Sequence, residues 1–208
     1  MRGPLERLFP NLSPRQRSLI DWVVTLAAAV LIVLGLKAWV VNPYKIPSSS
    51  MEPTLHCARP ETGCEGGSSD RVLADRVIYH FRDPRRFEIV VFNAPHSAAI
   101  RCPGGGGVFV KRIIGIPGDR WAERDGYIYI DGRRLEEPYV RPGRRDTQSH
   151  TLPDIAPGDT RIPKGEYLMM GDNRKRSCDS RVWGLVPRSS IIGEVFLTYW
   201  PLSRIATH

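Results

Sequence analysis

Residues 22–41 are almost wholly apolar, interrupted only by Thr25, Gly35 and Lys37. Twenty residues at about 1.5 Å each cross a hydrocarbon core of about 30 Å, so this run predicts one transmembrane helix. Ser13, Pro14 and Gln16 have the order of a capping box at its start, and Pro43 is expected to end it. Trp22 and Trp39 stand about 25 Å apart on a helix, which places both rings at membrane interfaces, with Lys37 near enough to one end to snorkel. A cleaved secretory signal has about 7 to 15 apolar residues and a small-x-small site, whereas residues 37–43 here read Lys-Ala-Trp-Val-Val-Asn-Pro. A retained anchor is the better reading. Arg2, Arg7, Arg15 and Arg17 outweigh Glu6 and Asp21 before the run, which predicts a cytoplasmic N-terminus and an extracytoplasmic remainder. The expected division is residues 1–43 as cytoplasmic tail and single-pass cell-membrane anchor, and residues 44–208 as one outer domain.

Beyond Pro43 the pattern changes to short apolar or alternating runs at 72–79, 87–92, 108–116, 127–130, 167–170 and 195–200, each bounded by turn residues. Gly and Pro together make 19 + 18 = 37 of 208 residues, as in turn-rich β proteins. Asp125-Gly126 and Asp131-Gly132 bracket Tyr-Ile-Tyr-Ile and supply the positive φ angles of two-residue hairpins, so a three-strand meander is expected there. Pro117-Gly118 and Pro157-Gly158 have the order of type II turns. Segments 57–70, 97–107 and 138–158 read as mobile surface loops. The expected fold is mainly β: an antiparallel sheet folded over itself, with at most a short helical turn near residues 187–192.

A net charge of +8 would suit nucleic acid or an anionic membrane, but apart from Arg174-Lys175-Arg176 the basic residues are scattered among acidic ones. No nucleic-acid partner is expected. His56, His80, His96, His150 and His208 are isolated and no Cys-x-x-Cys occurs, so neither metal nor cofactor is expected.

Four segments put reactive or small polar residues beside predicted strands. Residues 46–55 read Ile-Pro-Ser-Ser-Ser-Met-Glu-Pro-Thr-Leu, by composition an ordinary turn. Residues 69–74, Ser-Asp-Arg-Val-Leu-Ala, enter a strand. Residues 108–116 read Val-Phe-Val-Lys-Arg-Ile-Ile-Gly-Ile, in which Lys111 alternates with Phe109 and Ile113 while Arg112 faces the other way. Lys111 is thus either a poorly solvated amine or half of a charged pair on an exposed edge strand. Residues 171–184 form a dense polar loop.

In this order, behind a membrane anchor and over nearly the whole chain, the four segments closely resemble those of type I signal peptidases. These are membrane-anchored serine–lysine proteases that remove signal peptides from exported preproteins. The resemblance implies that Ser50 is the nucleophile and Lys111 its general base. An ammonium has no lone pair, so the lysine must fall from about 10.4 to near 8 to work. Ser48 is implied as an oxyanion donor beside the Ser50 N–H, and Ser177 as the residue that orients the lysine. Asp179 with Arg181 would brace the site, and Asp172 with Asn173 would hold the loop. Tyr44, Ile46, Pro47, Met51, Leu55, Phe109 and Val110 match positions lining shallow pockets for small residues, typically alanine, at −1 and −3. The signal peptide would lie extended along residues 44–48 and 108–110, adding a strand. Ser50 follows Val41 by nine residues, a reach of about 30 Å, so the nucleophile stays near the outer face of the lipid bilayer.

Ser49 stands where the family often has glycine. Lys175 and Arg176 replace common acidic and amide residues, and their charge is expected to lower the Lys111 pKa further. The four cysteines allow three complete pairings; a local Cys57–Cys64 bridge is preferred, with Cys102–Cys178 then tying a glycine-rich loop to the active-site loop. The alternatives are a serine–lysine self-cleaving repressor, which would carry a DNA-binding module instead of a span, and an anchored binding module with a dead site.

Overall fold

The computed structural model describes residues 13–102, 104–148, 150–153 and 160–208. The chain divides into two compact units, Met1–Val40 and Val41–His208.

In the first unit, helix α1 (Pro14–Trp39) opens on a reciprocal cap. The Ser13 N–H donates to Gln16 Oε1 at 3.0 Å and the Gln16 N–H donates to Ser13 Oγ at 3.4 Å. The helix is long and apolar enough to cross a membrane, and Leu19, Trp22, Leu26 and Leu31 are all exposed along it. It ends two residues short of the expected Val41, because Val41 already pairs with Asp75 in the sheet of the second unit. Arg2, Arg7, Pro157-Gly158 and the side chains of Arg17, Lys37 and Trp39 lie outside the described residues.

The second unit contains strands β1 (Val41–Lys45), β2 (Arg71–Asp75), β3 (Ile89–Asn93), β4 (Val108–Gly115), β5 (Trp121–Arg124), β6 (Tyr127–Ile130), β7 (Arg133–Arg134), β8 (Glu166–Met170), β9 (Val186–Pro187), β10 (Ile191–Trp200) and β11 (Ala206–Thr207). An antiparallel sheet runs β1-β2-β10-β3-β4-β8-β9, with β11 also on β10, and β5-β6-β7 form a separate meander. Asp125, Gly126, Asp131 and Gly132 have φ of 49°, 75°, 52° and 77°, the left-handed pairs that two-residue hairpins need. The fold is therefore mainly antiparallel β with one N-terminal apolar helix.

Some element bounds differ from the sequence pattern for local reasons. β2 stops at Asp75, whose Oδ1 accepts the N–H groups of Val77 and Ile78 at 2.7 and 3.1 Å and turns the chain into a helical turn at Ile78–His80. β3 starts late because Phe87 has φ of 74°. The glycine-rich segment 97–107, expected as a loop, carries helix α2 (His96–Arg101), and a second short helix, α3 (Ser180–Trp183), packs on it. Ser97 Oγ donates to the Trp183 carbonyl and the Arg101 guanidinium to that of Val182. The single helical turn foreseen near residues 187–192 is present at Arg188–Ser190.

Three apolar cores hold the unit. One gathers Phe92, Ile113, Met169 and Trp183; a second places Ile114, Leu168 and Met170 against Trp121 and Ile128 of the meander; the third joins Ile46, Met51 and Leu55 to Val72, Val91 and Val195. β4 contributes to all three, counting its partly buried Phe109 and Val110.

Candidate active site

Ser50 sits in a single helical turn, Ser49–Met51, that is fastened from three sides. The Asn173 N–H donates to the Ser50 carbonyl and Asn173 Nδ2 to the Ser49 carbonyl, both at 3.0 Å. Ser49 Oγ donates to the Thr62 carbonyl at 3.0 Å, within the loop closed by the Cys57–Cys64 disulfide. Met51 and Leu55 anchor the same turn in the third core.

Lys111 reaches this turn from β4, and its Nζ lies 2.5 Å from Ser50 Oγ. The amine is almost fully buried and lies 5.6 Å from the centre of the Phe109 ring. Burial strips water from the charged form and lowers the lysine pKa from 10.5 to about 8, although Asp179 and Asp172 pull it upward; Arg181 adds to the lowering. The nearby cation is thus Arg181, and the lowering expected from Lys175 and Arg176 is replaced by it. An amine poised near neutrality against a hydroxyl can take the hydroxyl proton without a histidine.

Arg112, the next residue, points elsewhere. Its Nε and Nη2 donate to Asp172 Oδ1 and Oδ2 at 2.9 and 2.7 Å, its Nη1 donates to the Phe87 carbonyl, and its guanidinium lies 4.1 Å from the Tyr139 ring centre. Thr54 Oγ1 donates to Asp172 Oδ2 at 2.5 Å, tying the Ser50 segment to the 171–181 loop. Farther along that loop, Asp179 caps α3 and receives Arg181 Nε and Nη2 at 2.9 and 3.0 Å. Burial alone would raise the Asp179 carboxyl, but Arg181 holds it below the usual range.

Ser48 Oγ lies 3.3 Å from Ser50 Oγ. Ser177 Oγ is buried without a partner in hydrogen-bonding geometry, though close enough to Asp179 to favour its charge, and it does not bond Lys111. Ser177 and Ser50 crowd Gly171: a Cβ there would stand 2.3 Å from Ser177 Oγ and 2.4 Å from the Ser50 carbonyl oxygen.

A cavity of about 470 Å³ opens beside the pair. Tyr44, Ile46, Pro47, Ser48, Ser50, Met51, Phe109, Val110 and Lys111 border it. Leu55 does not; it is wholly buried in the third core, where it supports Met51 rather than meeting a ligand. The sequence pattern missed that Lys45, Arg176 and the Cys102–Cys178 disulfide also line the cavity. It missed as well the two carboxylates that reach the 171–181 loop from the meander and its flank. Glu137 receives Arg174, and Glu123 lies 3.6 Å from Arg181. No motif marks them, since isolated acidic residues beside a hairpin look like solvated surface.

Glu52, His56 and Glu65 form a cluster with donor atoms close enough for a cation. Its ligand atoms are committed already: Glu52 accepts His56 Nδ1 and the N–H groups of Cys57 and Glu65, while Glu65 pairs with Arg141 and Arg144. The cluster reads as a pinned loop.

A buried lysine against a serine hydroxyl, at the wall of a groove, has the composition of a hydrolase site. The family model described as signal peptidase, peptidase S26 matches residues 19–200, and the chain belongs to this family of serine endopeptidases. A probable signal peptidase I-2 of Synechocystis sp. is 35% identical over 93% of this chain and 78% of its own length. Signal peptidase IB of Staphylococcus aureus is 30% identical over 91% of this chain and 93% of its own. A crystal structure of a signal peptidase I from Enterococcus faecalis V583 is 34% identical and covers 55% of this chain and 97% of that chain, with a TM-score of 0.44. Members of the family remove signal peptides from preproteins, and with α1 this chain is a membrane-anchored member.

Proposed function

We propose that the chain cleaves signal peptides by a Ser50–Lys111 dyad, through an acyl-enzyme, after small residues at −1 and −3. The observation that carries this reading is the 2.5 Å contact between Lys111 Nζ and Ser50 Oγ, made by an amine whose pKa burial brings to about 8. Neutral Lys111 takes the Ser50 proton as Oγ bonds to the scissile carbonyl carbon. The resulting ammonium returns a proton to the leaving amine as the C–N bond breaks. Lys111 then deprotonates a water whose oxygen bonds to the acyl carbon, and returns that proton to Ser50 Oγ as the C–Oγ bond breaks and the signal peptide leaves as a carboxylate. Ser48 Oγ and the Ser50 N–H are the proposed donors to the oxyanion. Ser177 is a proposed positioning residue, whose hydroxyl orients the Lys111 amine while it stays in contact with Ser50 Oγ.

Binding by strand addition is supported by sheet register. β8 pairs with β4 only from Arg112 onward, so Val108, Phe109 and Val110 keep one ladder edge free among the described strands, while β1 pairs on one side with β2. Ile46, Met51, Phe109 and Val110 leave apolar space beside these edges, suited to alanine-sized side chains. The proposed topology has residues 1–43 as cytoplasmic tail and bilayer span and residues 44–208 outside, from the arginines that precede the apolar run at 22–41.

The test is cleavage of a preprotein carrying Ala or Phe at −1, reconstituted in proteoliposomes with wild type, Ser50→Ala or Lys111→Ala. Wild type should process the Ala substrate and spare the Phe one, and neither variant should process either. Unchanged processing by Ser50→Ala would end the dyad reading.

A further inference from the structure

The cavity beside Ser50 is electrostatically lopsided. Among the described residues that line it, none is Asp or Glu, and three are basic: Lys45, Lys111 and Arg176. Lys111 is the buried base, whereas Arg176 is exposed. Carboxylates of the neighbouring elements are engaged elsewhere: Glu137 holds Arg174 and Arg145, Asp179 holds Arg181, and Glu65 holds Arg141 and Arg144, while Glu61 of the Cys57–Cys64 loop is exposed to solvent. Arg176 is left without a carboxylate partner among the described residues, at the wall of a substrate groove.

Its position is built. The Arg176 stem lies flat on Gly63, where an added Cβ would stand 2.6 Å from Arg176 Cδ and 2.9 Å from Ser49 Oγ. Gly63 has φ of 84° and belongs to the loop closed by Cys57–Cys64. The guanidinium therefore stands beside the turn that carries Ser50, on the wall of the cavity that the strand edges at residues 44–48 and 108–110 also border. Lys45 is exposed as well, but it belongs to the β1 edge, between Tyr44 and Ile46 of the apolar wall. Arg176 packs against the loop beside Ser49, next to the residue at which the chain would be cut.

We propose that Arg176 is a specificity residue that binds an acidic side chain within the first three residues of the mature protein, on the leaving-group side. This rests on the Ser50–Lys111 reading and adds to it a preferred class of substrate. An exposed Arg–carboxylate contact made as the substrate binds is worth about two- to fivefold in kcat/KM, and it weakens with salt.

The test uses the full chain in non-ionic detergent and preprotein substrates with Ala fixed at −3 and −1. Glu, Gln or Lys is placed in turn at +1, +2 and +3. Wild type should favour Glu over Gln by about two- to fivefold in kcat/KM at one of these positions, with the ratio shrinking as ionic strength rises. In Arg176→Gln that ratio should fall to about one, and in Arg176→Glu the Lys substrate should overtake the Glu substrate. Ratios within each enzyme cancel any general loss of activity. A wild-type ratio of one at all three positions, or a ratio that neither variant alters, overturns the assignment while leaving the dyad standing. Failure of wild type to cut even the Gln substrates would overturn the dyad and this proposal with it.

Discussion

Lys111 and Arg112 are neighbouring cations on one strand, both nearly out of water, and their surroundings treat them oppositely. Arg112 has a carboxylate on two of its nitrogens, a carbonyl on the third and an aromatic ring against its plane. Lys111 has a serine hydroxyl, an aromatic ring and apolar walls, with its carboxylates held at a distance by other arginines. Burial with a partner fixes the charge of Arg112 and makes it a strut. Burial without one makes charge on Lys111 costly, and that cost is what a general base requires.

Replacing the amine separates the two roles most sharply. Lys111→Met keeps the volume and removes the lone pair, so preprotein cleavage should fall about 10²- to 10⁴-fold while the circular dichroism spectrum stays that of the folded protein. Retained activity would break the contrast. Arg112→Met should act on stability instead. It leaves the Asp172 charge buried with Thr54 alone, and unfolding by denaturant in detergent should show a loss of about 3 to 5 kcal/mol. Arg112→Lys should recover only part, because a point charge cannot grip both carboxylate oxygens.

The pH dependence of stability distinguishes the cations further. Lys111 has a folded pKa of about 8 against 10.5 unperturbed, so between those values the unfolded chain binds the extra proton and wild-type stability rises with pH. Below about 8 the full burial cost, on the order of 3 kcal/mol, is present. Lys111→Met should therefore be more stable than wild type at pH 7, with the advantage fading as pH approaches 10.5. The smallest expected effect is on the activity profile. Wild-type kcat/KM should climb through about pH 8, and Asp179→Asn should move that limb to lower pH by removing the largest charge that favours the ammonium. A shift to higher pH would show that Asp179 acts on Lys111 by some other route.

The same strand explains how much the sequence could disclose. Alternation along residues 108–116 separates Lys111 from Arg112 before any coordinates exist, because a strand sends adjacent side chains to opposite faces. The meander was legible from two Asp-Gly pairs, each a local chemical demand for positive φ. Legibility fails where tertiary packing decides. Nothing in residues 97–107 announces α2, which is held by carbonyls of α3 that lie about eighty residues away in sequence. Leu55 and Met51 are both apolar side chains of the segment 46–55, yet one supports from behind and the other faces the cavity. Glu123 and Glu137 carry no motif because their partners, Arg181 and Arg174, are chosen by the fold.

Gly171 sets the spacing on which the site depends. The loop bearing Asp172 and Asn173 meets the Ser50 turn across a gap narrower than one methyl group. Alanine at that position would wedge the two segments apart, lengthening at once the bonds from Asn173 to the carbonyls of Ser49 and Ser50. The tolerance of the whole assembly is thus written in an atom that is missing, and residue 171 is where the smallest possible enlargement should do disproportionate harm.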